Sequence, residues 1–589
     1  MNMLRKYEEM LDALGKVKVN NWHDIDRFLE QIKNTKSKAV NVTSLDVQLK
    51  RMKRGIAFLT FDYGIDGVSI EISKYALCFE KLLKEKRSDS ELVPLHFIGG
   101  DFNKNADAVI KPRWKRLQIE GINGWSKWFG GEVFAKLYYE EMPEGSEVSD
   151  ETAREVWTQA CNFAEKLGDY IAANEIGLLF PVNIFSNPGN FALTLAGIFV
   201  SEMLELNVFN SNHDFYWEGG MPAVERSLDD EPGPRDHFFK NCDNKAFFNV
   251  FRKIYPWNGA KWAQVNINTQ QSEVLAEKFG FAKECLFELS TSVSDEFFKE
   301  YNRDDVKTVR KSMGYILSGG HPVIKPVNID EHLNGLSEWM KHQKPVVCGS
   351  EKGLTLDPAD NNVIYCLQPT RIIARKRIEK DISLFAALLE FPKFKKEFLN
   401  SEKQLVLHIT GPVPIEHEED TKRVLNAYKK LIVSLPADVA SRIFIAFSVG
   451  TEYHSSFESA GLTRLHIEDI YRLADIILFP SETEGRGLPI IESCACGIPI
   501  VCSRYYPEDV FEEVTGEHLS EELRIQYILF PESEFSEDML NIVSSILLKE
   551  NTNELKKLIQ HNKKAVYERY GTGSLVRTFN DVFEYFSES

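Results

Sequence analysis

Several things are scarce in this chain, and each scarcity excludes a class of protein. Long apolar runs are missing: the longest candidate, Phe191 to Val200, falls well short of the ~20 residues a membrane-spanning helix needs. No integral membrane segment is therefore expected. Basic residues are outnumbered, 70 Lys and Arg against 88 Asp and Glu, for a net charge of −18. General nucleic-acid binding, which depends on neutralising phosphates, is excluded on that balance. The nine cysteines are scattered, and only Cys494 and Cys496 lie close together. Their C-x-C spacing is neither a redox nor a zinc pattern, so a reducing cytoplasm is the expected location. The first residues, Met1-Asn-Met-Leu-Arg-Lys-Tyr-Glu-Glu9, are charged and show no apolar signal core. No Walker A, HExxH or Gly-x-Ser-x-Gly sequence occurs, which removes the P-loop, zincin and serine-hydrolase readings. Asp229-Asp230 lies in a Pro-rich acidic loop and reads as solvent-facing. No metal site and no cofactor are expected.

What is present reads as α/β. At 589 residues with 43% hydrophobic content, the chain calls for two or more cores. Residues 1–50 read as a helical extension, with Leu4, Tyr7, Leu11 and Leu14 at helical spacing. A domain over 51–335 opens with the apolar strand Ile56–Phe61, a turn containing Gly64, Asp66 and Gly67, and a helix carrying Ile72, Tyr75 and Phe79. Residues 100–150 look like an insertion, with Trp114, Trp125 and Trp128 among Lys, Arg and Gly. Pro and Gly between about 325 and 360 mark the expected connection to a second domain, 336–575. There, apolar runs at 363–367, 405–409, 443–447, 476–479, 498–501 and 527–530 alternate with helical patterns. Continuous apolar strands with helices between them imply a parallel sheet covered on both faces. A last helix, 576–589, is expected to return to the first domain.

The richest stretch is Phe479-Pro-Ser-Glu-Thr-Glu-Gly-Arg-Gly-Leu-Pro-Ile-Ile-Glu492. A strand ends, a glycine turn follows, and a helix starts between Glu484 and Glu492. That helix end favours anions, and the two carboxylates accept hydroxyls, which suits a ligand with phosphates and sugars. The stretch resembles the E-x7-E signature of family 4 of the retaining glycosyltransferases (glycosyl transferases group 1). The resemblance implies a GT-B fold, two Rossmann-like doubly wound domains facing across a cleft. It implies Glu484 on hydroxyls of the donor sugar, Glu492 on the nucleotide ribose, and the backbone of Gly485, Gly487 and Leu488 near the diphosphate. Arg486 stands where the family usually has Phe. It either pairs with an anion or makes a salt bridge to a neighbouring Glu.

A second segment, Gln368-Pro-Thr-Arg371-Ile-Ile-Ala-Arg375-Lys376-Arg377, is similar to the family's G-R-x-x-x-x-K-G loop, with Thr370 and Arg377 replacing the glycines. Arg371 and Lys376 are the matched cations that meet charge on the leaving diphosphate; the register between Arg375 and Lys376 is open. In the first domain, Asn212-His213-Asp214-Phe-Tyr216-Trp217 looks like the H-D-F segment of relatives such as sucrose-phosphate and mannosylfructose-phosphate synthases. That implies His213 facing the donor sugar, and Asp214 orienting it or contacting the acceptor alongside Tyr216. Asp66 and Gly67 match the family loop that approaches the acceptor. The basic cluster Lys111–Arg116 reads as a surface patch, with an acidic acceptor as the other reading.

Together these imply a metal-independent, retaining hexosyltransferase. Its partners would be a nucleoside-diphosphate sugar and a small sugar-like or polyol acceptor, with homo-oligomerisation left open. A disaccharide phosphorylase of the same fold and a catalytically inactive sugar-nucleotide-binding subunit are the alternatives.

Overall fold

A computed structural model of the chain describes residues 3–36, 54–64, 66–85, 93–103, 106–227, 233–289, 291–411, 413, 417–550 and 552–588. Asp229-Asp230 and residues 37–50 of the N-terminal extension lie outside the described residues. The chain divides into two compact units, Met1–Thr291 with Leu575–Ser589, and Ser292–Ser574.

In the first unit, a sheet of parallel strands runs in the order Lys115–Gln118, Leu95–Gly99, Ile56–Leu59, Leu178–Pro181, Asn207–Ser211, Trp262–Asn266, Leu286–Glu288. Chain order reverses direction between Ile56–Leu59 and Leu178–Pro181, which are adjacent in the sheet. The central strands are buried throughout. Ala57 and Leu59 join the core on one face; Ile56 and Phe58 join the core on the other. Helices cover both faces, as an all-parallel sheet requires.

The two N-terminal helices, Met3–Lys16 and Trp22–Lys36, close one of those faces. Met10, Leu14, Trp22, Ile25 and Leu29 are buried there, and the Trp22 ring meets Phe191 and Phe247 edge-on at 5.5 and 5.0 Å. Of the expected stripe, Leu14 is buried and Tyr7 and Leu11 pack against the core, while Leu4 is 47% exposed; Met10 adds a core position. The C-terminal helix Thr572–Glu588 packs on the other face. Its residues Leu575, Phe579, Val582, Phe583 and Phe586 are buried, and Phe579 stacks on Phe79 at 4.2 Å.

Residues 100–150 are not an insertion. Lys115–Gln118 is the edge strand of the sheet, in register with Leu95–Gly99 and largely exposed. Lys and Arg on an edge strand discourage pairing with other chains, which explains the basic cluster. Arg113 pairs with Glu80, and Arg116 lies 2.7 Å from Asp107. Trp114 is buried and stacks on Phe97 at 4.9 Å.

The second unit starts at Ser292, well before the Pro- and Gly-rich region expected to connect the units. Helix Arg303–Ser318 belongs to it, capped by Asn302 and Asp305 and packed through Val309, Met313, Ile316 and Leu317. The prolines and glycines of 325–360 instead turn the chain around two short strands, Val327–Asn328 and Val346–Gly349. Gly349 shows why: an added Cβ would lie 3.1 Å from Pro326 and 3.3 Å from Phe444.

The sheet order is Val327–Asn328, Val346–Gly349, Ile443–Ser448, Gln404–Thr410, Val363–Gln368, Ile476–Phe479, Ile500–Cys502, Ile528–Leu529. Val346–Gly349 runs antiparallel to Ile443–Ser448; the other pairings are parallel. Both units are thus doubly wound α/β sheets. Among the described residues no helix is long and apolar enough to cross a membrane.

Phe579→Ala should destabilise the protein by about 3–5 kcal/mol, the usual range for emptying a fully buried aromatic site. Leu4→Ala, at an exposed site, should stay within about 0.5 kcal/mol. Urea denaturation followed by circular dichroism checks both.

Candidate functional site

In an open α/β sheet, ligands bind beyond the carboxyl ends of the strands where the chain order reverses. In the second unit that point lies between Val363–Gln368 and Ile476–Phe479. The basic segment Pro369–Arg377 leaves the first of these strands, and Pro480–Gly487 leaves the second. The topology therefore juxtaposes the two segments singled out in the sequence.

Their contact is direct. The Lys376 ammonium is hydrogen-bonded to Glu484 Oε1, and Arg375 Nη1 lies 3.7 Å from Glu484 Oε2. The backbones are tied as well: Glu482 N donates to the Arg375 carbonyl at 2.8 Å, and Arg375 Nη1 donates to the Thr483 carbonyl. Glu484 N donates to Tyr506 O at 3.0 Å, and Tyr506 N donates to Glu482 O at 2.7 Å. Both segments are held by strands, so the charges are placed and not merely attracted.

Lys376 is buried, with 7% exposure. Burial holds its ammonium below the ordinary lysine range; Glu484 opposes that shift, and Arg375 and Arg371 add to it. Arg371 itself is exposed. Both Arg375 and Lys376 thus reach Glu484, with Lys376 the buried one.

The turn that carries them is supported from below by Gln368 and Thr370 of the same segment and by Asp381, which the sequence did not single out. Thr370 Oγ1 donates to Gln368 Oε1 at 3.0 Å, and Gln368 Nε2 donates to Asp381 Oδ2 at 3.0 Å. Asp381 is fully buried, and burial pushes its carboxyl well above the usual range. Its one sequence signal was an acidic residue in the first turn of a helix, which marks a helix start and not a support. Arg377 closes the short turn Ala374–Lys376 in the left-handed region, at φ +48°. The resembling loop has glycine there, so the conformational demand persists although the residue differs.

Gly487 precedes helix Leu488–Cys496 with φ +59°, and an added Cβ would lie 2.2 Å from the Tyr505 hydroxyl. Both conditions require glycine. Gly485 has open space around it. Arg486 and Leu488 are half-buried beside this turn, and Glu492 lies half-buried on the helix. The buried Tyr471 hydroxyl is hydrogen-bonded to Glu492, and burial followed by that carboxylate raises the phenol's pKa.

The first-unit candidates divide. His213 is buried, with Nε2 3.3 Å from Ser211 Oγ, and its carbonyl accepts from Gln271 Nε2 at 3.1 Å. Asp214 pairs with Arg235 at 2.9 Å, and its N–H donates to Asn183 Oδ1 at 3.0 Å. Tyr216 is 3% exposed, its ring 4.6 Å from Phe251 and 5.0 Å from Trp217. It packs the core and is not placed as an acceptor contact. Asp66 caps helix Gly67–Glu85: its two oxygens accept from Ser69 N at 2.9 Å and Ser69 Oγ at 2.8 Å. Gly67 is the first helical residue and has open space around it. Helix capping accounts for this pair without a ligand. Among the described residues no group of three or more His, Cys, Asp or Glu side chains is arranged to hold a metal ion.

Gly487→Ala should abolish ligand binding at this turn and lower stability by about 1–3 kcal/mol, the cost of a strained backbone. Gly485→Ala should stay within about 0.5 kcal/mol. Thermal denataturation of the two variants side by side checks the contrast.

Residues 461–526 match the family described as Glycosyl transferases group 1. The chain is 23% identical over 516 residues to mannosylglucosylglycerate synthase of Thermotoga maritima, covering 86% of this chain and 91% of that protein. Among solved structures, a glycosyltransferase from Rickettsia africae is similar at 13% identity and TM-score 0.49, covering 90% of this chain and 98% of its own. Sucrose-phosphate synthase from Thermosynechococcus elongatus is similar at 13% identity and TM-score 0.46, covering 90% and 98%. The matched stretch lies within the second unit and contains Glu484, Gly487 and Glu492.

Proposed function

We propose that the chain is a retaining glycosyltransferase that moves a hexosyl group from a nucleoside-diphosphate sugar to a hydroxyl of a small sugar-like or polyol acceptor. The observation that carries this is the pairing of the buried Lys376 with Glu484, set beside Gly487 and the helix it opens. Breaking the bond between sugar and diphosphate leaves negative charge on the diphosphate. A fixed ammonium stabilises that charge as it develops, because the dipoles and charges around it are already in place. Lys376 takes that role, with Arg375 and Arg371 as flanking cations, which supports a metal-independent reaction. Glu484 then accepts hydroxyls of the donor sugar, and Glu492 those of the ribose. The backbone of Gly487 and Leu488 meets the diphosphate. His213 acts on the sugar being transferred, and the leaving diphosphate takes up the proton of the incoming hydroxyl. The similarity to mannosylglucosylglycerate synthase supports a small hydroxylated acceptor.

A thermal-shift panel of UDP, GDP and ADP sugars should single out one base, since a ligand that binds only the native state stabilises it by mass action. With that donor, Lys376→Ala should lower turnover by ~10²–10³-fold and Glu492→Ala should weaken diphosphate binding by about 1–3 kcal/mol. Activity should survive EDTA. Loss in EDTA with rescue by Mg²⁺ or Mn²⁺ would contradict the metal-free mechanism, and a flat panel would contradict the donor class.

A further inference from the structure

Three tryptophans lie close together in the first unit's sequence, and they meet different ends. Trp114 and Trp128 are buried; Trp125 is 39% exposed. Trp128 anchors its segment, its Nε1 donating to Gln159 Oε1 at 2.8 Å. Trp125, three residues earlier, is kept out of the core by a backbone bent the other way.

That backbone is strained. Trp125 has φ +54° and Phe129 φ +43°, between glycines at +90°, +78° and +84° (Gly121, Gly130 and Gly131). A bulky residue in the left-handed region costs about 1–3 kcal/mol and persists only where its surroundings over-determine it; such residues cluster at ligand clamps. Here the surroundings do so. Asn190 Nδ2 donates to the carbonyls of Gly121 and Asn123 at 2.9 and 2.8 Å, and Asn123 Nδ2 is bonded to Asp62 Oδ1.

The place is specific too. Trp125 N donates to Gly189 O at 2.8 Å, and its ring meets Phe61 edge-on at 5.1 Å. Phe61 follows strand Ile56–Leu59, and Gly189 follows strand Leu178–Pro181. These are the adjacent strands at which the first sheet reverses its order, the usual ligand position. The Asp62 carboxylate belongs to the same loop: it is bonded to Asn123 Nδ2 and lies 3.2 Å from Lys127 Nζ, two residues to either side of Trp125. An exposed aromatic ring beside a carboxylate is chemistry suited to a sugar. Ring C–H groups meet the electron-rich face, and hydroxyls donate to the oxygens.

We propose that Trp125 is a stacking platform for a carbohydrate ring, with Asp62 receiving its hydroxyls. Naming that sugar as the acceptor rests on the glycosyltransferase reading above; the platform does not.

The test uses the full chain and D-glucose, D-mannose, D-fructose and glycerol as probes, followed by saturation-transfer NMR and calorimetry. UDP, GDP and ADP are titrated in parallel. Trp125→Gly removes the ring while suiting the positive φ, so the fold is kept; Trp125→Phe keeps an aromatic face. At least one ring sugar should bind the native protein better than glycerol. Trp125→Gly should weaken it roughly threefold to tenfold, the scale of one aromatic contact. Trp125→Phe should retain most of the affinity, and the nucleotide that binds should be unaffected. The proposal is overturned if no ring sugar binds, if Trp125→Gly binds the sugars as well as the native protein does, or if the loss falls on the nucleotides, which would make Trp125 a base platform. Absence of nucleotide binding with Trp125-dependent sugar binding would overturn the glycosyltransferase reading alone.

Discussion

The second unit's site depends on one ion pair, between a buried lysine and a half-buried glutamate. Taking an ammonium and a carboxylate out of water costs several kcal/mol per ion, and their mutual attraction offsets this only when the geometry is tight. Lys376 and Glu484 meet that condition because each follows directly from one of two hydrogen-bonded parallel strands. The Arg375 and Glu482 backbones then fix their spacing. Such a pair is a poor device for stability, since apolar residues would fill the space at lower cost. In the function proposed above, its value lies in holding both charges ready, the cation for an incoming diphosphate and the anion for sugar hydroxyls. Everything else in the unit serves that placement. Gln368 and Asp381 support the loop from beneath, and Gly487 lets the helix start close against Tyr505.

Much of this was legible in the sequence because buried parallel strands write themselves as unbroken apolar runs. The six runs between 363 and 530 all appear as strands of one sheet, and the two carboxylates fall where the strand–turn–helix pattern put them. The misreadings have physical causes. Lys115–Gln118 is an edge strand, so it carries charge in place of apolar residues. Trp262–Asn266 is buried on both faces yet holds Gln264 and Asn266. Those amides bond to Asn210 and Asn212 across the neighbouring strand at 2.7–3.1 Å. A buried polar network held by tertiary contacts breaks the apolar pattern without breaking the strand.

Local composition misled at three further points. Pro and Gly between 325 and 360 are as dense as in a linker, but they turn the chain at short strands inside the second unit. Asp66 and Gly67 look like a ligand loop, whereas the carboxylate is used on the Ser69 backbone and hydroxyl. Tyr216 looks like a polar aromatic at a strand end, and its ring is enclosed by Trp217, Phe239 and Phe251. In each case residue type and spacing were read correctly. What decided the role was the partner, which lies far away in sequence or in a side-chain direction that spacing does not encode.

The proposed function divides the labour within the pair, the diphosphate falling to Lys376 and the sugar to Glu484. Calorimetric titration of Glu484→Gln with the cognate nucleoside diphosphate and with its sugar conjugate tests it directly. Without its carboxylate partner Lys376 is released toward the diphosphate, so the free diphosphate should bind as well as before or tighter. The sugar conjugate should lose at least roughly tenfold, the scale of a hydrogen bond to a charged group. Equal losses for the two ligands would contradict the claim, because Glu484 would then be shaping the site as a whole and not receiving the sugar.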